Sequence, residues 1–470
     1  MVNSNMADEP LRTGDSVRSP RDWIAPVLRP QRRQPLDQWA LLVVLVSLGF
    51  VEVWCRLGLY ADGAYLFWTD LQTHGSNLAP NFANGRMIAD IIPQLPLIVA
   101  LHLGVQSVST LSLVWSAGIV LVPLALWVVA LGVLWKNALF WQLAVVAVAV
   151  EGTTSFFAIG EYNFAYALVA LNVALLVDGL KTIPRRVGFV VAAVATIWSY
   201  PSMIYLGPLL VVLVAILIGR DFRTRTTDKS LTVFRVFGIV AYVVATGMAK
   251  YSIDNPNGSN VQAASNVLAP FQIDVGQLRW TFAFVALAGA SAVFRKYRFF
   301  GVLSFAVAVW MVVGERHNDI IHQYDNRIVA GGFVIFGIAI AGLSTLIPSL
   351  DLTPRRWLLA AIVVFSVYSL GPIARSATGY HGWLDEVRGL IVSNTTPTTA
   401  INGIFTPPSA KAIYYSPYRW TWGYAFVSQD LEPNRRSSMM LDTDVTIGPD
   451  SIYGVDSNQL PVPFPYHYTE

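Results

Sequence analysis

The chain reads as an α-helical polytopic membrane protein, and three observations lead there. Of its 470 residues, 54% are hydrophobic and only 13% are charged, whereas a soluble domain is about 25% charged. The mean hydropathy is +0.51. The apolar residues also gather in runs close to membrane-spanning length. We expect about eleven transmembrane helices over residues 37–373, then a small C-terminal extracytoplasmic domain, mainly β and loop, over 374–470.

Residues 1–36 are polar, Pro-rich and basic, carrying Arg12, Arg18, Arg21, Arg29, Arg32 and Arg33. No apolar run with a small-residue cleavage site precedes them, so we expect a disordered cytoplasmic tail and no cleaved signal peptide. The first span is expected at 39–59. The connection after it, 60–110, is long. Within it 87–103 is weakly amphipathic and interrupted by Pro93 and Pro96, which suits one or two interfacial helices. Spans follow at 111–135, 138–157 and 164–180, then as a pair within 187–219 that turns at Tyr200-Pro201. The remaining spans are expected at 231–249, 280–294, 299–314, 328–347 and 357–373. The connection 250–279, with Asn255, Pro256, Asn257 and Gly258, reads as a loop. Past 373 the composition shifts toward Pro, Ser, Thr, Asp and aromatics, and alternating runs at 412–415 and 420–426 predict strands.

Charge placement orients these spans. Lys136, then Lys181, Arg185 and Arg186, then Arg220, Arg223, Arg225 and Lys229, then Arg295, Lys296 and Arg298, then Arg355 and Arg356 fall in alternate connections. Basic connections face the cytoplasm, so the N-terminus lies inside and the C-terminal segment outside. The single cysteine, Cys55, allows no internal disulfide and fits no metal spacing. It reads as a buried spectator.

Ionisable residues at the outer ends of the spans carry the chemistry. Asp62 stands in Tyr60-Ala61-Asp62-Gly63 just past the first span, and Asp70 follows in the same connection with His74, Arg86 and Asp90. A carboxylate at a membrane mouth is costly to place and points to function. Glu52 and Arg56 are four apart, a spacing that puts them on one helical face. Glu161 sits in the outer turn Gly160-Glu161-Tyr162-Asn163, and Glu151 lies deeper in the preceding span. The densest cluster runs from Glu315 to Arg327 and holds Arg316, His317, His322, Tyr324 and Arg327. Two arginines and two histidines suit a phosphate. His317 and His322 with the carboxylates also offer metal-ligand types, but the spacing matches no zinc pattern. No metal residue is assigned, and a divalent cation stays open as a cofactor. The turns at Pro201 and after 373 show no such density.

There is no P-loop, no GxSxG elbow and no HExxH, so nucleotide-driven transport is not expected. The position of Asp62 after a first span, the long first outer connection and the late outer domain together resemble the GT-C superfamily of membrane glycosyltransferases. The resemblance covers the layout of the whole chain and rests on a short motif. Arabinofuranosyl- and mannosyltransferases of bacterial envelopes are both similar in plan. It implies a polyprenyl-phosphate sugar donor, a glycan or glycolipid acceptor, a bilayer setting in a bacterial inner membrane, and no nucleic-acid partner.

On that resemblance Asp62 matches the catalytic aspartate and Asp70 the second acidic residue of some members. An acceptor hydroxyl needs a general base, and the leaving phosphate needs fixed cations. Arg327, His322, Arg316, Arg86, Lys250 and Arg56 are the expected phosphate binders. Glu161, His317, Tyr324, Trp420 and Trp422 are the expected substrate contacts, with Tyr414, Tyr415, Tyr418 and Tyr424 as further stacking surfaces. The main rival is a transporter or flippase. Against it, the halves show no inverted similarity and the polar residues favour one face over the midplane.

Overall fold

The computed structural model describes residues 35–60, 62–75, 85–154, 161–224, 228–255, 323–346 and 355–393, with Ala283, Ala286, Leu287, Val427 and Leu431 as isolated positions. At Asp62 and Tyr324 the backbone alone is described. Among these residues the elements are helical, in the order α1 (Pro35–Trp54), a 3-10 turn (Leu57–Leu59), α2 (Asp62–Thr73), α3 (Met87–His102), α4 (Val108–Val133), α5 (Phe140–Thr154), α6 (Glu161–Asp178), α7 (Ile183–Ala195) with a 3-10 turn (Thr196–Trp198), α8 (Met203–Thr224), α9 (Lys229–Asp254), α10 (Gln323–Leu346) and α11 (Arg355–Ser393).

Six of them, α1, α4, α8, α9, α10 and α11, are long and apolar enough to cross a membrane. Their outward faces agree with that role. Trp39, Val43 and Phe50 on α1, and Val233, Val240 and Val243 on α9, are exposed although apolar. Water would not tolerate such stripes on so many helices, and lipid does. The chain is a helical membrane protein.

The count differs from the eleven spans expected. The spans placed at 280–294 and 299–314 lie outside the described residues, three isolated positions excepted. α5 and α7 have 15 and 13 residues, about 22 and 20 Å of helix against about 30 Å of hydrocarbon. α6 carries Glu161, Asn163, Asn172 and Asp178, which dilute its apolar run. It is nevertheless buried along nearly its whole length, so it is a central helix shielded by others.

Three local expectations are corrected. Pro93 and Pro96 do not interrupt α3, which runs unbroken through both. Each proline removes one backbone donor, and burial of Pro93, Gln94 and Leu97 against neighbouring helices offsets the loss. α1 ends at Trp54, and Arg56 takes a left-handed backbone with φ 56°, so Glu52 and Arg56 do not share a helical face. Finally, α11 passes through residue 374, where a new domain was expected to begin, and ends at Ser393. Strands were expected beyond it, at residues outside the described set.

Two apolar clusters organise the packing. The larger joins α4 to α10 with the first half of α11 around α6. The smaller joins the Leu57–Leu59 turn, α2, the end of α3, the start of α4 and the second half of α11 through Ala377, Tyr380, Trp383, Leu384 and Val387. α2 was not anticipated as a helix. Its Ala64, Phe67, Trp68 and Leu71 recur at three- and four-residue spacing and are all buried in this second cluster.

Candidate functional site

The starts of α6 and α10, the turn before α8 and the turn before α3 converge at one end of the bundle. Arg86, at the N-cap of α3, reaches Glu161 in the first turn of α6, Nη1 to Oε1 at 3.4 Å. Both side chains are largely withdrawn from solvent, at 14% and 20% exposure. The Arg86 guanidinium also lies over the Tyr200 ring, 5.2 Å from its centroid. Burial works against the charge on Arg86, but Glu161, then Tyr200 and Asp90, outweigh it, and the group is held more firmly cationic than usual against the opposing charge of Arg327. Asp90 is itself buried one turn into α3.

Arg327, in the first turn of α10, lies over the Tyr162 ring at 4.6 Å. Its carbonyl accepts a hydrogen bond from the Tyr166 hydroxyl at 3.1 Å. Tyr162 has its ring 6.1 Å from Tyr166 and 5.9 Å from Tyr200. Gly331, one turn on in α10, lets the helix approach: a Cβ there would sit 2.9 Å from the Tyr205 hydroxyl and 3.0 Å from that of Tyr166. Two arginines thus rest on neighbouring tyrosine faces, and one of them pairs with Glu161.

Tyr60 closes the 3-10 turn that precedes α2. Tyr60 is buried, which drives its phenol well above the usual range, while Arg327 pulls it down and Tyr162 adds to the rise. The Tyr60 ring meets Tyr380 of α11 edge-on at 5.6 Å. Asp62 begins α2 two residues later. The glycine after it is demanded by packing, because a Cβ on Gly63 would overlap the Gly58 carbonyl oxygen.

Asp70 has a different setting. It is 0% exposed within α2, and neither carboxylate oxygen has a hydrogen-bond partner among the described residues. Burial pushes its carboxyl up to about 7. A pKa near neutral suits a base, yet a base must also reach the proton it takes, and Asp70 is closed in.

Of the expected residues, Arg86, Glu161 and Arg327 come together. Arg56 instead gives Nη2 to Ser109 Oγ of α4 at 2.9 Å. Lys250 pairs with Asp254 at 2.6 Å on the exposed last turn of α9. Arg316, His317, His322, Trp420 and Trp422 lie outside the described residues. Among the described residues no group of three or more His, Cys, Asp or Glu could hold a metal ion.

Sequence reasoning passed over Tyr162, Tyr166, Tyr200 and Tyr205. The four-residue spacing of Tyr162 and Tyr166 was a usable signal, since it stacks both rings on one helical face. The Pro201 turn, set aside for its lack of charge, contributes aromatic surface instead. No family model matches the chain, and no curated protein or solved structure matches it either.

Proposed function

We propose that this protein is an inverting glycosyltransferase of GT-C type, moving a sugar from a polyprenyl-phosphate donor to a hydroxyl of an envelope glycan or glycolipid. In this reading the spans lie in a bacterial inner membrane, and the arginine end of the bundle faces outward. The observation that supports it is the convergence of Arg86 and Arg327 on the neighbouring faces of Tyr200 and Tyr162, with Glu161 paired to Arg86.

A donor phosphodiester carries one negative charge, and its leaving phosphate gathers more as the anomeric C–O bond breaks. Arg327 and Arg86 stabilise that growing charge, and aromatic faces hold both guanidiniums in place beforehand. Asp62 takes the acceptor O–H proton while the acceptor oxygen bonds to the anomeric carbon from the opposite side. Polyprenyl phosphate departs, and Asp62 returns its proton to water. The neighbouring tyrosines offer flat surfaces for a sugar ring. Asp70 is assigned no proton transfer, because its carboxyl is enclosed.

The test is Asp62→Asn in proteoliposomes supplied with synthetic polyprenyl-phosphate arabinofuranose or mannose and a short glycan acceptor. Transfer should fall by about a hundredfold or more, with size-exclusion behaviour unchanged. Near-normal transfer in this variant removes Asp62 as the base. Movement of substrate across sealed vesicles without a new glycosidic bond would favour the transporter instead.

A further inference from the structure

The turn before Asp62 is fastened to α4 at both polar atoms of Gly58. The Gly58 N–H donates to Ser116 Oγ at 3.0 Å, and Trp115 Nε1 donates to the Gly58 carbonyl at 2.7 Å. Ser116 Oγ in turn donates to the Ser112 carbonyl at 2.8 Å. Trp115 and Ser116 are both essentially inaccessible to solvent. The Gly58 carbonyl that receives the indole N–H is also the group against which Gly63 packs without room for a Cβ. The Trp115 ring lies 6.4 Å from that of Phe67, one turn further along α2. A single side chain on α4 therefore grips the turn through its N–H and α2 through its ring. Asp62 sits between these two points in sequence.

The geometry points to Trp115 as the positioning residue for Asp62: its N–H, acting through the Gly58 carbonyl, sets where α2 begins and so where residue 62 stands relative to Arg86 and Arg327. This rests on the glycosyl-transfer reading for its catalytic consequence, and on the structure alone for its mechanical one. Packing by itself asks only for a large flat side chain at 115, which phenylalanine also supplies. The N–H is the part that fixes register, because it bonds to one carbonyl in one direction.

Trp115→Phe in the full-length protein separates the two. Amide hydrogen exchange over residues 58–67 should quicken by about tenfold. With a polyprenyl-phosphate mannose or arabinofuranose donor, kcat should fall by about tenfold to a hundredfold while KM stays within about twofold, since a displaced base costs rate and leaves ground-state binding alone. Trp127→Phe, at another fully buried tryptophan of α4 in the larger cluster, should leave both readouts unchanged. Unchanged exchange at 58–67 in Trp115→Phe overturns the proposal, as does a wild-type kcat, or equal effects from the two variants. If the wild-type protein transfers no sugar at all, the functional reading falls, and exchange alone decides whether Trp115 sets the start of α2.

Discussion

Replacing Asp70 by asparagine removes a titratable group from the middle of an apolar layer. In the wild-type protein its carboxyl is pushed from the ordinary 3.8 up to about 7 by burial. The folded state then binds this proton more tightly than the unfolded chain does. Stability from this group is therefore full below about pH 4, declines as pH rises toward about 7, and stays at the lower level above that. At about 1.36 kcal/mol per pH unit, the loss across that window is on the order of 4 kcal/mol. Asparagine keeps the shape and cannot ionise, so its own burial cost does not vary with pH. The assay is the denaturant midpoint of both proteins in mixed micelles from about pH 4 to 8, and the readout is the difference between them. The wild-type protein should lose ground to Asp70→Asn steadily across that range. A difference that stays flat with pH would refute the account of Asp70 as an enclosed carboxyl without a partner among the described residues.

Arg86→Met leaves Glu161 beside an apolar side chain and should cost about 3 kcal/mol of stability. Adding Glu161→Gln should recover much of that without restoring sugar transfer, checked by melting and turnover in the same preparation. Gly63→Ala forces a Cβ onto the Gly58 carbonyl. It should cost about 1–3 kcal/mol and raise hydrogen exchange through the first turn of α2, whereas exchange along α9 should not change.

The long spans were legible because twenty or so consecutive apolar residues have few other readings. α1, α4, α9 and α10 fall close to where hydropathy puts them. α2 was not legible, because Asp62, Thr69, Asp70 and Gln72 break its apolar run. What makes it helical is a non-local grip by Trp115 and by the second half of α11. α11 itself was half legible. The shift toward Pro, Ser, Thr, Asp and aromatics past 373 looked like a new domain, yet Ala377, Tyr380, Trp383, Leu384 and Val387 keep helical spacing and are all buried. For the site, Arg86, Glu161 and Arg327 were visible as charges that apolar surroundings could not explain. The tyrosines were not, because an aromatic at the end of a span reads equally well as an interface anchor. Only the convergence of four chain segments distinguishes the two roles.

The bundle treats buried charge in three ways, and they differ in what can disturb them. At the end opposite the arginine site, carboxylates meet basic partners directly: Asp178 with Lys181 and Arg185, Asp228 with Arg186, and Asp221 with Arg220 and the deeply buried Arg235. The Asp221 pair with Arg235 is a strut, since separating it strands a buried charge, whereas Asp228 with Arg186 and Asp178 with Lys181 are partly solvated and contribute less. Asp70 is held as an acid, so it answers to pH. Arg86 and Arg327 are held differently, over ring faces that attract a guanidinium without consuming its N–H donors. Arg86 also meets the Glu161 carboxylate at 3.4 Å. The cations on ring faces sit at the starts of α3 and α10, and the Asp178 and Asp221 pairs sit at the other end of the bundle.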